Sequence, residues 1–118
     1  MFVNFTNHPK KNWTKEQIEA SKCYGEIVDV PFPGISPEST SEQVRQEAEV
    51  YAEKIMQYMP QFVLCQGEFC MAYHVIRILK EKGIHVGAAC SDRKVTEIKT
   101  ESGTKKTVIF QFVQYREY

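Results

Sequence analysis

Apolar residues fall along the chain in short runs and helical stripes separated by polar connections, and this alternation predicts the elements. Phe2 to Thr6 reads as a first strand, followed by a polar loop from Asn7 to Asn12. A helix comes next: Thr14 with Gln17 three residues later fits a capping box, and Lys22 with Gly25 fits a cationic last turn and a glycine stop. Glu26 to Val30 is a short second strand. Pro31 to Ser39 holds three prolines and a glycine, which neither a helix interior nor a central strand tolerates, so it is a long connection.

Thr40 with Gln43 again fits a capping box. Val44, Ala48, Tyr51, Ala52, Ile55, Met56 and Met59 then recur at helical spacing until Pro60, a core stripe that needs no cofactor. Gln61 to Cys65 is an apolar run short enough for a buried parallel strand. A third helical pattern runs through Ala72, Val75, Ile76 and Leu79 and ends at Lys80, Lys82 and Gly83, and Ile84 to Cys90 gives a fourth strand rich in small residues.

The order β-α-β-α-β-α-β, with right-handed crossovers, predicts one three-layer, Rossmann-like α/β domain over residues 1–118, with parallel strands in the order 2-1-3-4 followed by a C-terminal β-hairpin. The hairpin strands are Lys94 to Thr100 and Thr107 to Tyr115, around a turn at Ser102 to Lys105. Val108 to Val113 is apolar on both faces and Lys94 to Thr100 is not, so the last strand is expected inside the sheet and the fifth at its edge.

Fifteen basic and fifteen acidic side chains give a formal net charge of zero, so no long-range field holds duplex DNA or an acidic membrane surface. A small anion held by a few local donors remains compatible, because such a site depends on geometry. The start of the chain has no basic leader or cleavage pattern, and no apolar run approaches the ~20 residues of a membrane span. A cytoplasmic location is expected. Cys23, Cys65, Cys70 and Cys90 follow no zinc-type spacing and read most simply as buried thiols, so neither a metal nor another cofactor is expected. Cys70, near a helix N-terminus, and Cys90, at a strand end, are minority candidates for thiol chemistry.

In an open parallel sheet ligands bind outside the carboxyl ends of the strands, where successive crossovers leave on opposite faces. Here that point lies between the first and third strands. It gathers Thr6, Asn7 and His8, with Lys11 further along the loop, then Gln66, Gly67 and Glu68, and on the same edge Ser91 and Arg93. His8 is the only one of three histidines in a loop at this edge and is a candidate general acid or base; it serves equally well as a turn residue. Glu68 is a second candidate for proton transfer, against a plain role at a helix N-terminus. Gly67 either lets backbone amides approach an anion or makes a tight turn. Thr6, Asn7, Lys11, Gln66, Ser91 and Arg93 are candidate ligand contacts, Arg93 through its planar fork of donors or else in a surface ion pair. Phe32, in the proline-rich connection, fits a lid over a ligand or a stiff spacer. The aromatic and basic tail from Tyr115 to Tyr118 is expected at this edge too, to stack on a base or to form a dimer contact.

With Phe5 to Pro9, Trp13, Tyr24 to Asp29, Pro31 to Pro33, Gln66 to Glu68, Ala89 to Ser91 and Arg93 in view, the chain resembles, over its whole length, a family of small uncharacterised bacterial proteins. More distantly, its plan resembles the CRISPR-associated Rossmann-fold sensors and ring nucleases, which bind cyclic oligoadenylates as dimers. That second resemblance implies a small phosphate-containing ligand such as a cyclic oligonucleotide, a homodimer, and metal-independent cleavage in which His8, Gln66 and Arg93 align a ribose hydroxyl with its phosphate. A rival from another class is a non-enzymatic dimeric accessory or interaction module, whose loops only shape the fold.

Overall fold

The computed structural model describes residues 1–118. Its elements are β1 (Phe2–Phe5), a short 3-10 turn (Lys10–Asn12), α1 (Lys15–Lys22), β2 (Ile27–Asp29), α2 (Ser41–Met56), β3 (Phe62–Cys65), α3 (Phe69–Glu81), β4 (Val86–Thr100) and β5 (Gly103–Glu117). The helix signals act as the spacing predicts. Thr14 Oγ1 accepts from the Gln17 amide, and Thr40 and Gln43 cap each other reciprocally. Gly83 follows α3 at φ +77°, a left-handed conformation that costs a side chain dearly and ends the helix.

The sheet order is β2-β1-β3-β4-β5; β2, β1, β3 and β4 run parallel and β5 pairs antiparallel with β4. Side chains alternate across the strands and divide the core in two. Val3, Phe5, Val63 and Cys65 meet α2 and α3 through Ala48, Ala52, Ile55, Met71, Val75 and Leu79. Phe2, Phe62 and Leu64 point to the other side, where Ile18 of α1 packs with Trp13, Tyr24 and Tyr115. That second core is aromatic: the Phe2 ring lies 5.6 Å from Phe62, 5.2 Å from Tyr115 and 6.1 Å from Trp13. Helices therefore cover both faces, and the crossovers part between β1 and β3.

The C-terminal region differs from the expectation in three ways. The fourth strand does not stop at Cys90 but continues to Thr100, with a bulge between Cys90 and Ser91. The final strand lies at the sheet edge, not inside it. And because β5 runs back down β4, the backbone ends beside the start of β4, where the Tyr118 amide donates to the Val86 carbonyl, at the edge opposite the expected one. The Tyr118 hydroxyl alone reaches back, donating to the Cys65 carbonyl at the carboxyl end of β3. β3 pairs with β4 only at Val86 and Gly87. From Ser91 to Phe112 the two strands thus form a ribbon beyond the sheet, here called the arm. Its reach shows in the overall dimensions: the radius of gyration is 17.0 Å with extents of 56 × 38 × 22 Å, against roughly 13.5 Å for a compact domain of this length.

Candidate functional site

The end of β1 is held by a polar network that the apolar pattern did not predict. Asn4 is buried in the strand, on the α1 side. Its Nδ2 donates to Asp29 Oδ1 at 2.8 Å and to the His8 carbonyl at 2.9 Å, and its Oδ1 accepts from the Thr6 hydroxyl at 2.8 Å. Thr6 Oγ1 in turn accepts from the His8 amide at 3.0 Å, and Trp13 Nε1 donates to the His8 carbonyl at 2.9 Å. The Asp29 carboxylate also accepts from the Lys10 amide. A buried polar group without partners is costly, so this closed set fixes the β1 loop against the N-terminus of α1.

Between that loop and the base of the arm lies an open cleft of about 470 Å³. Thr6 and His8 line one side, Gln66 and Ser91 the other. Trp13, Phe110 and Phe112 supply aromatic walls, and Asn12 and Gln17 add amides. Leu64 and Ala89 form its apolar floor. Gln66 Oε1 accepts from the Ala89 amide at 3.1 Å, which orients the side chain and leaves its Nε2 hydrogens for a ligand. No lysine, arginine or carboxylate lines the cleft. Its chemistry is stacking and neutral hydrogen bonding.

Four of the residues proposed from sequence, Thr6, His8, Gln66 and Ser91, therefore meet in one cleft. Thr6 acts through the loop, because its hydroxyl is committed to Asn4 and His8. Asn7 is exposed on the bend beside the cleft, and Lys11 is exposed on the 3-10 turn. Arg93 stands on the arm, paired across the ribbon with Phe110.

Gly67 and Glu68 turn to the other side of the sheet with α3. Both Glu68 oxygens accept from the first turn of α3, from the Cys70 amide at 3.0 Å and the Met71 amide at 2.8 Å. The Met71 and then the Cys70 amide bond hold the Glu68 carboxyl below the usual carboxylate range. The structure thus places Glu68 as the N-cap of α3 and does not bring it together with His8. At Gly67, a Cβ would meet Phe32 ring carbons at 2.5–2.6 Å. Phe32 is buried against Phe5, at 4.7 Å between ring centroids, so it packs in the core rather than standing over the cleft.

Glu68 and Cys70 border a second hollow of about 440 Å³ between the proline-rich connection and α3, where His74 Nδ1 is buried without a partner. The Glu68 carboxylate raises the Cys70 thiol, which disfavours the thiolate. Of the four cysteines expected to be buried only Cys65 is, and burial pushes its thiol up to about 12. Cys23 and Cys70 are exposed and Cys90 is half-buried, because they lie on helix ends and on the arm's base rather than on a core-facing strand. No three His, Cys, Asp or Glu side chains are grouped as a metal site, and no helix is long and apolar enough to cross a membrane.

Sequence reasoning missed Asn4, Trp13, Asp29, Phe110 and Phe112. Strand parity held part of the signal: Phe2, Asn4 and Thr6 share one face, as do Leu64 and Gln66. The family model described as "Uncharacterized protein MJ1673 family" matches residues 1–116. No curated protein and no solved structure matches.

Proposed function

We propose that this chain, which belongs to the MJ1673 family, binds a nucleotide-type ligand in the cleft between the β1 loop and the base of the arm. The observation that carries this reading is the lining itself. Aromatic rings at Trp13, Phe110 and Phe112 offer faces for a planar base. Gln66, Ser91, Asn12 and Gln17 offer donors and acceptors for base edges and ribose hydroxyls. The cleft also lies at the carboxyl ends of β1 and β3, where the crossovers diverge, the usual ligand position in such sheets. With no fixed charge inside, base and sugar sit in the cleft and any phosphate points outward. The distant likeness to cyclic-oligoadenylate-binding proteins makes those oligonucleotides the first to compare with mononucleotides. If the ligand is also cleaved, His8 at the cleft wall is the group to hold or accept the proton.

A thermal-shift series tests this with ribonucleosides, their 5′-monophosphates and cyclic oligoadenylates. A ligand at 100 times its Kd stabilises the folded state by ~2.7 kcal/mol, which for a domain of this length is on the order of 10 °C. Phe110→Ala and Gln66→Ala should abolish the shift, and Lys54→Ala, on the far side of the sheet, should keep it. A flat series at millimolar ligand refutes the reading and favours the interaction module. His8→Ala should keep binding and lose any turnover.

A further inference from the structure

Beyond its base, where Phe112 rests on Tyr115 at 4.9 Å between ring centroids, the arm has no support from the body of the protein. A two-stranded ribbon is marginal by itself in water, and this one runs ten residues per strand, 91–100 and 103–112, with no third strand beside it. Directly paired residues share a face, so one face carries Ser91 with Phe112, Arg93 with Phe110, Val95 with Val108, Glu97 with Lys106 and Lys99 with Thr104. This is the face continuous with the cleft. Its centre is apolar and open: Phe110 is 66 % exposed, Val95 51 % and Val108 43 %.

The pattern on that face complements itself. Two such faces laid antiparallel about a two-fold axis at Val95 and Val108 set each valine on its own copy. The same operation sets Arg93 against the partner's Glu97 and Phe110 against the partner's Lys106, each pair occurring twice. Within one strand Arg93 and Glu97 are four residues and ~13 Å apart, too far to pair with each other. Glu97 meets Lys106 of its own ribbon at 3.6 Å in an exposed pair worth little by itself, which the partner's Arg93 would join. The outermost pair, Lys99 with Thr104, then comes over the partner's Ser91 and Phe112, at the mouth of the cleft.

We propose that two copies of this chain associate through this face of their arms, and that each arm tip brings Lys99 and Lys106 to the partner's cleft, where they hold the ligand's phosphate. The phosphate role rests on the nucleotide reading of the cleft; the association does not. It explains why the cleft contains no cation of its own, and why an exposed ribbon carries aromatic and β-branched residues. A ribbon ~33 Å long and ~10 Å wide is small beside the ~800 Å² per partner of a standard interface. The dimer is therefore expected at tens of micromolar protein and low salt, where the charge pairs are least screened.

Sedimentation equilibrium at those concentrations is the test, with circular dichroism to verify folding. Wild type should be dimeric, Arg93→Glu and Glu97→Arg each monomeric, and both their equimolar mixture and the double variant dimeric again. A monomeric wild type, or single reversals that remain dimeric, overturns the proposal. Titration with adenosine and adenosine 5′-monophosphate tests the second half. Wild type should prefer the monophosphate by about tenfold. Glu97→Arg, which adds positive charge but loses the partner, and Lys99→Gln should lose that preference while still binding adenosine. A preference unchanged in both overturns the phosphate role. Binding of neither compound sinks the cleft reading and leaves the association to stand on its sedimentation result.

Discussion

Gly67→Ala separates a packing role from a ligand role at the β3–α3 junction. The new methyl would lie 2.5–2.6 Å from three carbons of the Phe32 ring, a distance that packed carbons do not adopt. Phe32 is only 5 % exposed and its ring rests on Phe5, so it has little room to withdraw. Overpacking of this kind costs roughly 1–3 kcal/mol. Gly67 has no positive φ, so alanine also removes freedom from the unfolded chain and returns ~0.4–1 kcal/mol. The net expectation is a loss of about 1–2 kcal/mol, or roughly 4–8 °C in Tm. Urea denaturation of the variant in two backgrounds isolates the cause. Phe32→Leu is itself destabilising, but with the ring gone Gly67→Ala should cost at least ~1 kcal/mol less than it does beside Phe32. An equal cost in both backgrounds, or none in either, would refute the argument that the ring is what excludes a side chain at this position.

Asn4→Leu leaves the Thr6 hydroxyl and Asp29 short of partners while the His8 carbonyl keeps Trp13, so a loss of about 2–4 kcal/mol is expected by chemical denaturation; a loss below ~1 kcal/mol would show that water replaces the asparagine. Glu68 has a folded carboxyl pKa below its unfolded value, so its contribution is present above the ordinary carboxylate range and fades as pH falls through the lowered value. Glu68→Gln should accordingly be slightly less stable than wild type at pH 7 and converge with it under acid, and a gap that persists at low pH would contradict the capping role. Tyr115 and Ser21 share a hydrogen bond of 2.6 Å between β5 and α1. Tyr115→Phe is expected to cost ~1 kcal/mol in denaturant melts, and an unchanged midpoint would mean the bond is exchanged freely for water.

Most of the sheet was legible because its strands and helices face a core, and a core writes its period into the sequence. The buried run from Phe2 to Phe5 and the stripe from Val44 to Ile55 are such records. The arm escapes that pattern because it faces no core. Ser91, Asp92 and Arg93 are polar, which inside a sheet signals a loop, but in a ribbon wet on both sides it is compatible with continuous strand. Val108 to Val113 are apolar on both faces, the usual mark of an inner strand, yet they lie at an edge. The candidate site divides in the same way. Sequence order places residues at the end of a strand, but the side they take depends on which face receives the following helix. α1 and α3 lie on opposite faces, so His8 stays with α1 while Gly67 and Glu68 leave with α3, and only Gln66, in phase with Leu64, remains in the cleft.

The zero net charge of the chain carries a related lesson about averages. Residues 91–112 contain five basic side chains (Arg93, Lys94, Lys99, Lys105, Lys106) and three acidic ones (Asp92, Glu97, Glu101), so the arm carries +2 and the remainder −2. The absence of a long-range field still argues against an extended polyanion. It does not argue against a small one, because the excess positive charge is concentrated on the segment that projects past an uncharged cleft. If the arms cross as their facing residues permit, the cations reach the cleft only in the dimer. Phosphate affinity should then fall when protein is diluted below the dissociation constant of the dimer, while affinity for an uncharged nucleoside does not. Two titrations at two protein concentrations are enough to see that coupling, and a phosphate affinity independent of dilution from dimer to monomer would remove the arm from the site.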